Sequence, residues 1–535
     1  MGLAAVAAMV AALAVSRPAN LAIASPSGAA AGSGPLQWTV YHFDAAGTGV
    51  ANSAGSVSTA APKWTSPALD GQLFGEPLVF AGRVYVATEN DTVYALSVAT
   101  GAVQWSVHLA TPVPAGALPC GDVSPSVGIT GTPVIDPKRA EIFVVADEYD
   151  GASPVHELVG LSTTTGHLEM KQDVDPVGAD AAALLQRTGL ALDAGKVVFG
   201  FGGNYGDCGS YHGWVVSTSE SGGQPTFFEV DSAAGERQGA IWMGGGAPAI
   251  DAKGDIWVEA GNGSVTSSSG SYDDSDSVLE LSSRLKLLQF FAPVTWALDN
   301  GSDLDLSTEP ALLGNGEVLA AGKSRTAFLL AGRHLGGIGG QQAELGGVCG
   351  DDVDGGMAVV GATVYLPCLS GTVAIKVSVS PPGLRLLWSS GTGGGPPIVA
   401  GGRVWTIGQD GVLYGLDPSS GAVRQRASIG APANHFPTPS VGDGVLLAPA
   451  SDRVVAFTAA GSSTTTSSTA APGTTTRPAT TATTAASRPS SSTTGPGTGR
   501  ASRHSSLPTA IVAVIVIAGV AAGAGIALLA RRRRR

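Results

Sequence analysis

Residues 76–105 read EPLVFAGRVYVATENDTVYALSVATGAVQW, and the punctuation of this stretch decides the fold. An apolar run led by proline, Glu76-Pro-Leu-Val-Phe80, meets a glycine turn. Gly82-Arg-Val-Tyr-Val86 and Thr92-Val-Tyr-Ala-Leu96 follow, and the unit closes at Thr100-Gly101 and Trp105. Short β-rich runs broken by Gly and Asp turns predict a four-stranded antiparallel sheet. A single sheet of this kind leaves an apolar face in water, so it must pack against copies of itself.

Such copies are present. The first strand recurs at Thr132-Pro-Val-Ile135, Gly189-Leu-Ala-Leu192, Ala247-Pro-Ala-Ile250 and Glu309-Pro-Ala-Leu312. It recurs again at Gly356-Met-Ala-Val359, Pro396-Pro-Ile-Val399 and Thr438-Pro-Ser-Val441. The second strand carries Phe143, Val198, Trp257, Leu319, Tyr365, Trp405 and Leu446 where the first copy has Tyr85, which makes eight copies. Small residues on the innermost strand suit a crowded central channel, and the reading is an all-β, eight-bladed β-propeller over residues 38–460. The eighth copy reaches Arg453-Val-Val-Ala-Phe457 and Ala460-Gly461 without an outer strand. A stray outer strand, Lys63-Trp-Thr-Ser-Pro67, precedes the first copy and is expected to complete blade eight.

The closing motif carries a resemblance. Ala95-Leu-Ser-Val-Ala-Thr-Gly-Ala-Val-Gln-Trp105 resembles the tryptophan-docking repeat of PQQ-dependent dehydrogenases, with Ser97 where that pattern has Asp. Thr100, Gly101 and Trp105 are therefore the expected docking residues. Gly415-Leu-Asp-Pro-Ser-Ser-Gly421 keeps the Asp and Gly but ends in Gln425, and Leu161-Ser-Thr-Thr-Thr-Gly166 ends in Met170. The resemblance implies a quinoprotein-like propeller of the membrane-anchored bacterial type. It implies no chemistry by itself, because non-catalytic propellers of outer-membrane barrel assembly share the repeat.

The ends of the chain read differently. Residues 1–25 are apolar and alanine-rich, with small residues around Ala22-Ile23-Ala24-Ser25. They read as a secretory signal, although no Lys or Arg precedes the apolar run; an alanine-rich helix packed in the fold is the alternative. Residues 461–507 collapse to Thr, Ser, Ala, Pro and Gly with no acidic residue, the composition of an extended stalk. Residues 508–530 hold no charge over a length that spans a bilayer, and the run Arg531–Arg535 follows as a cytoplasmic basic tail. A single-pass protein with its propeller on the extracytoplasmic side of the cell membrane is the expectation.

Strand order sorts the loops. Turns between first and second strands, and between third and fourth, share one face and are tight: Ala81-Gly82, Ala194-Gly195, Gly401-Gly402, Thr100-Gly101 and Ser420-Gly421. The other face is expected to take every long insertion, namely Asp147–Asp150, Gly203–Trp214 and Ser271–Ser277. Blade-linking Asp303, Asp305, Asp351, Asp352 and Asp354 join them, so this face is long-looped and acidic. Acidic loops serve either binding or the solubility of a Gly-rich surface. All four cysteines fall here; three pairings are open, and Cys120–Cys208 with Cys349–Cys368 is favoured.

Asp273, Asp274 and Asp276 are the candidate calcium ligands, but the loop lacks the Gly and final Glu of an EF-hand; Arg284 or Leu285 stands there. His212, beside Tyr211 and Trp214, reads either as a ligand or as the packed start of a strand. No adjacent-cysteine pair, CxxCH, GxSxG or HExxH is present, so no catalytic residue is assigned. The expected function is a non-catalytic binding or scaffold propeller with no cofactor. An unknown envelope protein, polymer or small ligand would meet the acidic face. The alternative is a dehydrogenase using PQQ and calcium to oxidise an alcohol or sugar. Net charge is −12, and setting aside the five terminal arginines leaves 25 basic against 42 acidic residues, which disfavours nucleic acid.

Overall fold

The computed structural model describes residues 35–460; the signal, stalk, membrane-helix and basic-tail readings (1–25, 461–507, 508–530, 531–535) lie outside them. No helix among the described residues is long and apolar enough to cross a membrane. The described chain is almost wholly β, and its single α-helix is the short Trp296–Asn300.

Eight antiparallel sheets form the ring. Blade one is Leu78–Phe80, Arg83–Thr88, Thr92–Ser97 and Val103–His108, hydrogen-bonded in that order. The equivalence read from the repeats is a matter of register. Tyr85 lies across from Leu78, Phe143 from Val134, Trp257 from Ala249 and Trp405 from Ile398. Blade eight is offset by one residue, with Leu446 across from Val441.

Each blade buries both faces against its neighbours, so the core is a series of layers between blades. Val134, Phe143 and Leu158 of blade two pack with Val197, Phe199 and Val216 of blade three. Val198 and Val215 of blade three pack on its other face with Ile256, Val258 and Leu279 of blade four. Burial of such aliphatic and aromatic side chains is the main favourable term, roughly 1.5–3 kcal/mol each.

The docking motif works one blade out of step with the sequence unit. Trp64 lies over Gly101 and donates from Nε1 to the Val98 carbonyl at 2.9 Å. Trp105 does the same on Gly166 and the Thr163 carbonyl at 3.1 Å, and Trp388 on Gly421 and the Pro418 carbonyl at 3.0 Å. A Cβ on Gly101 would meet the Trp64 ring at 2.4 Å, and its φ of +71° is left-handed, so the position needs glycine twice over. At two junctions without tryptophan, glutamine makes the contact. Gln289 binds the Gly332 carbonyl and Leu335 amide of blade five, and Gln425 binds the Val57 carbonyl.

The ring closes as expected from Lys63–Pro67: Trp64 pairs with Ala456 and Thr65 with Val455. Val57–Ser58 adds a second antiparallel contact to the same strand. What precedes it was not foreseen. Residues 36–51 run inside the ring and visit the blades in order. Amides of Asp443 (blade eight), Val79 (one) and Ile135 (two) donate to the carbonyls of Leu36, Trp38 and Thr39. Tyr41 abuts Gly189 of blade three, Ile250 of blade four donates to Ala45, and Gly47 abuts Glu309 beside blade five. Val359 and Val399, of blades six and seven, donate to Thr48 and Gly49. This segment satisfies inward-facing amides that an empty channel would leave to water.

The tight-turn face has one exception. The third and fourth strands of blade five are separated by residues 332–342, and Gly337–Ile338 pairs in parallel with Phe291–Ala292 of blade four. The expectation that every long insertion lies on the other face is corrected here. The Gly-rich insertion has no alternation of its own and is held by a neighbouring blade's outer edge.

Candidate functional site

The long-loop face is stapled at two places. Cys120, ahead of blade two, bonds Cys208 in the second loop of blade three, and Cys349 bonds Cys368 beside blade six. Both favoured pairings are present. A disulfide closing a long loop restricts the unfolded chain most, which suits the Cys120–Cys208 link with its separation of 88 residues.

Much of the acidity expected on this face points inward. The second strand of blade two continues through Tyr149, so Asp147 is a strand residue and not a loop one. It is buried and contacts His156 Nε2 at 2.5 Å, while Asp175 holds Nδ1 at 2.6 Å. Burial alone would lower the His156 pKa, but Asp147 and then Asp175 outweigh it and push it up to about 10. The imidazole is therefore a buried cation between two carboxylates.

Asp273 and Asp276 are also buried, and they cap other groups. Asp273 accepts from the Ser275 amide and hydroxyl, and Asp276 Oδ1 accepts from the Leu306 amide at 2.9 Å. Asp274, half-buried, stands between them in the chain with φ +64°. The three candidate ligands do not converge on one point. Among the described residues the one convergent acidic set is Asp251, Asp255 and Glu280, at the turn face of blade four, and Lys253 Nζ lies 3.5, 3.5 and 3.9 Å from them. Asp305 and Asp354 are buried, while Asp150 and Asp303 remain exposed. Burial pushes the Asp354 pKa up to about 7. His212 sits just ahead of the strand Trp214–Ser219, its Nδ1 3.1 Å from the Asp231 carbonyl.

The residues that meet on the axis were not singled out by sequence. Phe74 precedes blade one, Arg187 blade three, Trp242 blade four and Phe436 blade eight, and Lys323 follows the second strand of blade five. Their side chains form a continuous bridge across the ring. The Arg187 guanidinium carbon lies 5.7 Å from the Phe74 ring centre and 5.6 Å from that of Phe436. Phe436 meets Trp242 at 5.8 Å, and Lys323 Nζ lies 5.3 Å from the Trp242 ring centre. Lys323 also holds Asp303 at 2.8 Å and Asp305 at 3.0 Å, and Trp242 Nε1 donates to Asp305 at 3.2 Å. Nothing repeats among these residues, so periodicity gave no signal. Their only shared mark is position, just before a first strand or just after a second.

The quinone enzymes among the proteins that share this repeat hold a quinone with a metal under an adjacent-cysteine disulfide. The axial residues do not fit that group. The disulfide partners stand 88 and 19 residues apart in sequence, and Asp305 is already committed to Lys323, Trp242 and the Asn262 amide. The axis beside Trp242 is taken by Phe436.

A repeat-family model described as outer membrane protein assembly factor BamB matches residues 39–206 and 370–491. No curated protein matches the chain. Among solved structures, the quinohemoprotein alcohol dehydrogenase of Comamonas testosteroni superposes with a TM-score of 0.60 at 15% identity, over 79% of this chain and 80% of that one. The quinohemoprotein alcohol dehydrogenase ADHIIG of Pseudomonas putida HK5 gives 0.57 at 14% identity, over 83% of each chain. A europium-containing methanol dehydrogenase gives 0.54 at 15% identity, over 78% of this chain and 89% of that one. At these identities the likeness is one of fold.

Proposed function

The chain belongs to the PQQ-repeat family described as outer membrane protein assembly factor BamB, and from that premise we propose that it is a non-catalytic binding propeller, tethered to the cell membrane with its disc on the extracytoplasmic side. The tether is residues 508–530 with Arg531–Arg535 behind them, and residues 461–507 are the stalk. The observation that carries the binding reading is the asymmetry of the disc. Loops cross-linked by Cys120–Cys208 and Cys349–Cys368 gather on one face, while the opposite face is mostly tight turns. Loops held rigidly on a β scaffold are where recognition concentrates. The non-catalytic reading is supported by the side-chain bridge on the axis, in which Phe436 stands against Trp242 and Lys323 is ion-paired to Asp305.

The exposed acids of the face, Asp122, Asp150 and Asp180, are the surface a basic partner would meet. Capture from envelope extract by the whole chain, compared with the Asp122→Asn/Asp150→Asn/Asp180→Asn variant, tests this. Loss of a captured partner is expected, and undiminished capture would count against the face. PQQ with Ca²⁺ should leave the whole chain without dye reduction on alcohols or sugars; turnover would establish the dehydrogenase instead.

A further inference from the structure

The long-loop face carries a cavity that none of the axial bridge residues lines. It has a volume of about 330 Å³ and lies where blade eight meets blade one, with the segment ahead of blade two as a third wall. Hydrogen bonds pin these walls together. The Leu69 and Leu73 amides donate to the Asp452 and Ser451 carbonyls at 2.9 and 2.8 Å, and the Glu89 amide donates to the Gln72 carbonyl at 3.0 Å. The Ser126 hydroxyl donates to the Glu89 carbonyl at 2.8 Å. Three acids, Asp70, Glu89 and Asp452, line the cavity, and among the described residues no Lys, Arg or His does.

The three acids are in different states. Glu89 is 2% exposed; its Oε2 accepts from the Gly128 amide at 2.8 Å and the Thr130 hydroxyl at 3.1 Å, but its Oε1 is buried without a partner. Burial pushes the Glu89 pKa up to about 7 in spite of those two donors. Burial alone would also raise Asp70, but donors from Thr92, Asn90 and Thr88 at 2.6, 3.0 and 2.9 Å outweigh it and hold the pKa below its ordinary value. Asp452 faces Arg453 at 3.6 Å, and that arginine is 46% exposed and donates to the Ser66 carbonyl. A buried carboxylate oxygen with no donor therefore shares a rigid cavity with two further acids.

We propose that this cavity is an ammonium seat, and that its occupant is a lysine side chain of the basic partner that meets the long-loop face. An ammonium brings three donors, enough to reach acceptors on separate walls at once. A guanidinium fork is suited to both oxygens of one carboxylate, and here Asp70 already takes three donors and Glu89 two. A divalent metal needs its oxygens gathered at about 2.3–2.6 Å from one point. Asp70, Glu89 and Asp452 do not converge in that way, since among the described residues the set that does is Asp251, Asp255 and Glu280. Leu69 and Pro125 line the same cavity and suit the methylene stem behind the charge. Exposed Asp122, Asp150 and Asp180 draw the same basic partner from a distance. This inference rests on the binding reading of the face and names the residue type that enters it.

NMR titration of the whole chain with N-acetyl-lysine methylamide, its ε-acetylated form and its arginine counterpart tests the seat. The lysine compound should bind at least about tenfold more tightly than the ε-acetylated one, about 1.4 kcal/mol, and more tightly than the arginine one. Glu89→Gln and Asp452→Asn should each erase most of that margin, whereas Asp150→Asn, on the same face but outside the cavity, should keep it. Equal affinity for the lysine compound and its ε-acetylated form overturns the seat. So does a margin that survives both cavity variants, or one that Asp150→Asn removes equally. Arginine binding as tightly as lysine overturns the ammonium assignment. Should Glu89→Gln fail to fold, Asp452→Asn decides, because its side chain is 42% exposed. Partner capture from envelope extract should fall with Asp452→Asn; full capture with the wild-type margin intact would assign the seat to a free amine and overturn the partner's lysine. If the lysine compound shows no margin while capture still depends on Asp122, Asp150 and Asp180, this inference falls and the binding reading stands.

Discussion

The wall of the ring and its axis are built on opposite logics. In the wall, Trp64, Trp105 and Trp388 each lie on a glycine of the next blade and donate to a nearby carbonyl, one solution used three times. On the axis, Trp38, Tyr41, Arg187, Trp242 and Phe436 each have different surroundings, and none recurs at the repeat spacing. Repetition makes a frame; what fills the frame is free to differ. A propeller can therefore keep its fold while its centre changes from one chain to the next.

The sharpest challenge to this division is whether the axial segment is as integral as the wall. Trp38 and Trp405 are both fully buried, the first in the segment crossing the channel and the second in blade seven. Trp405→Ala should cost about 3–5 kcal/mol, and Trp38→Ala the same if segment and wall fold as one unit. Urea unfolding of the two variants gives the answer. Equal losses with one transition would join the two regions. A much smaller loss for Trp38→Ala, or an early separate transition, would make the segment a detachable occupant of the channel.

A smaller effect probes the layer between wall and loops. His156 donates from its amide and ring to Asp175 and faces Asp147, so His156→Gln leaves buried carboxylates without their cation. A loss of about 3 kcal/mol near neutral pH is expected. The pKa of His156 is raised on folding, from 6.5 to about 10. Its contribution is therefore complete below about 6.5 and fades as pH climbs through about 10. The stability gap between wild type and His156→Gln should narrow over that window; a constant gap would mean the histidine acts by packing against Phe201 rather than by charge.

The same division governs what the sequence made legible. Eight blades, the closing strand at Lys63–Pro67 and both disulfides could be read because each is a recurrence or a leftover from one. Asp147 reads from sequence as a loop acid and Asp273 and Asp276 as candidate calcium ligands, yet all three are buried, since composition cannot tell a carboxylate facing water from one capping a buried amide. The channel segment 36–51 was silent because its hydrogen bonds run singly to successive blades, and such pairing imposes no alternation. Arg187 and Trp242 were silent for a related reason: what sets them apart is their neighbours across the ring, and those are far away in sequence.

The finest test stays within one blade. Gly82 and Gly101 both have left-handed backbones, φ +76° and +71°, and both lie on the turn face of blade one. A Cβ on Gly82 meets nothing within 4 Å, whereas on Gly101 it meets the Trp64 ring at 2.4 Å. Alanine at Gly82 should cost about 1 kcal/mol, the backbone penalty alone. At Gly101 it carries the same penalty plus displacement of Trp64, for a total of about 2–4 kcal/mol. The difference between the two unfolding free energies isolates tryptophan docking from glycine conformation. Because Trp64 belongs to the strand that closes blade eight, Gly101→Ala should also shift Trp64 and weaken its bond to the Val98 carbonyl. Equal costs at the two glycines would mean that the closing strand is held by its ladder alone, and that the docking motif is a by-product of the turn.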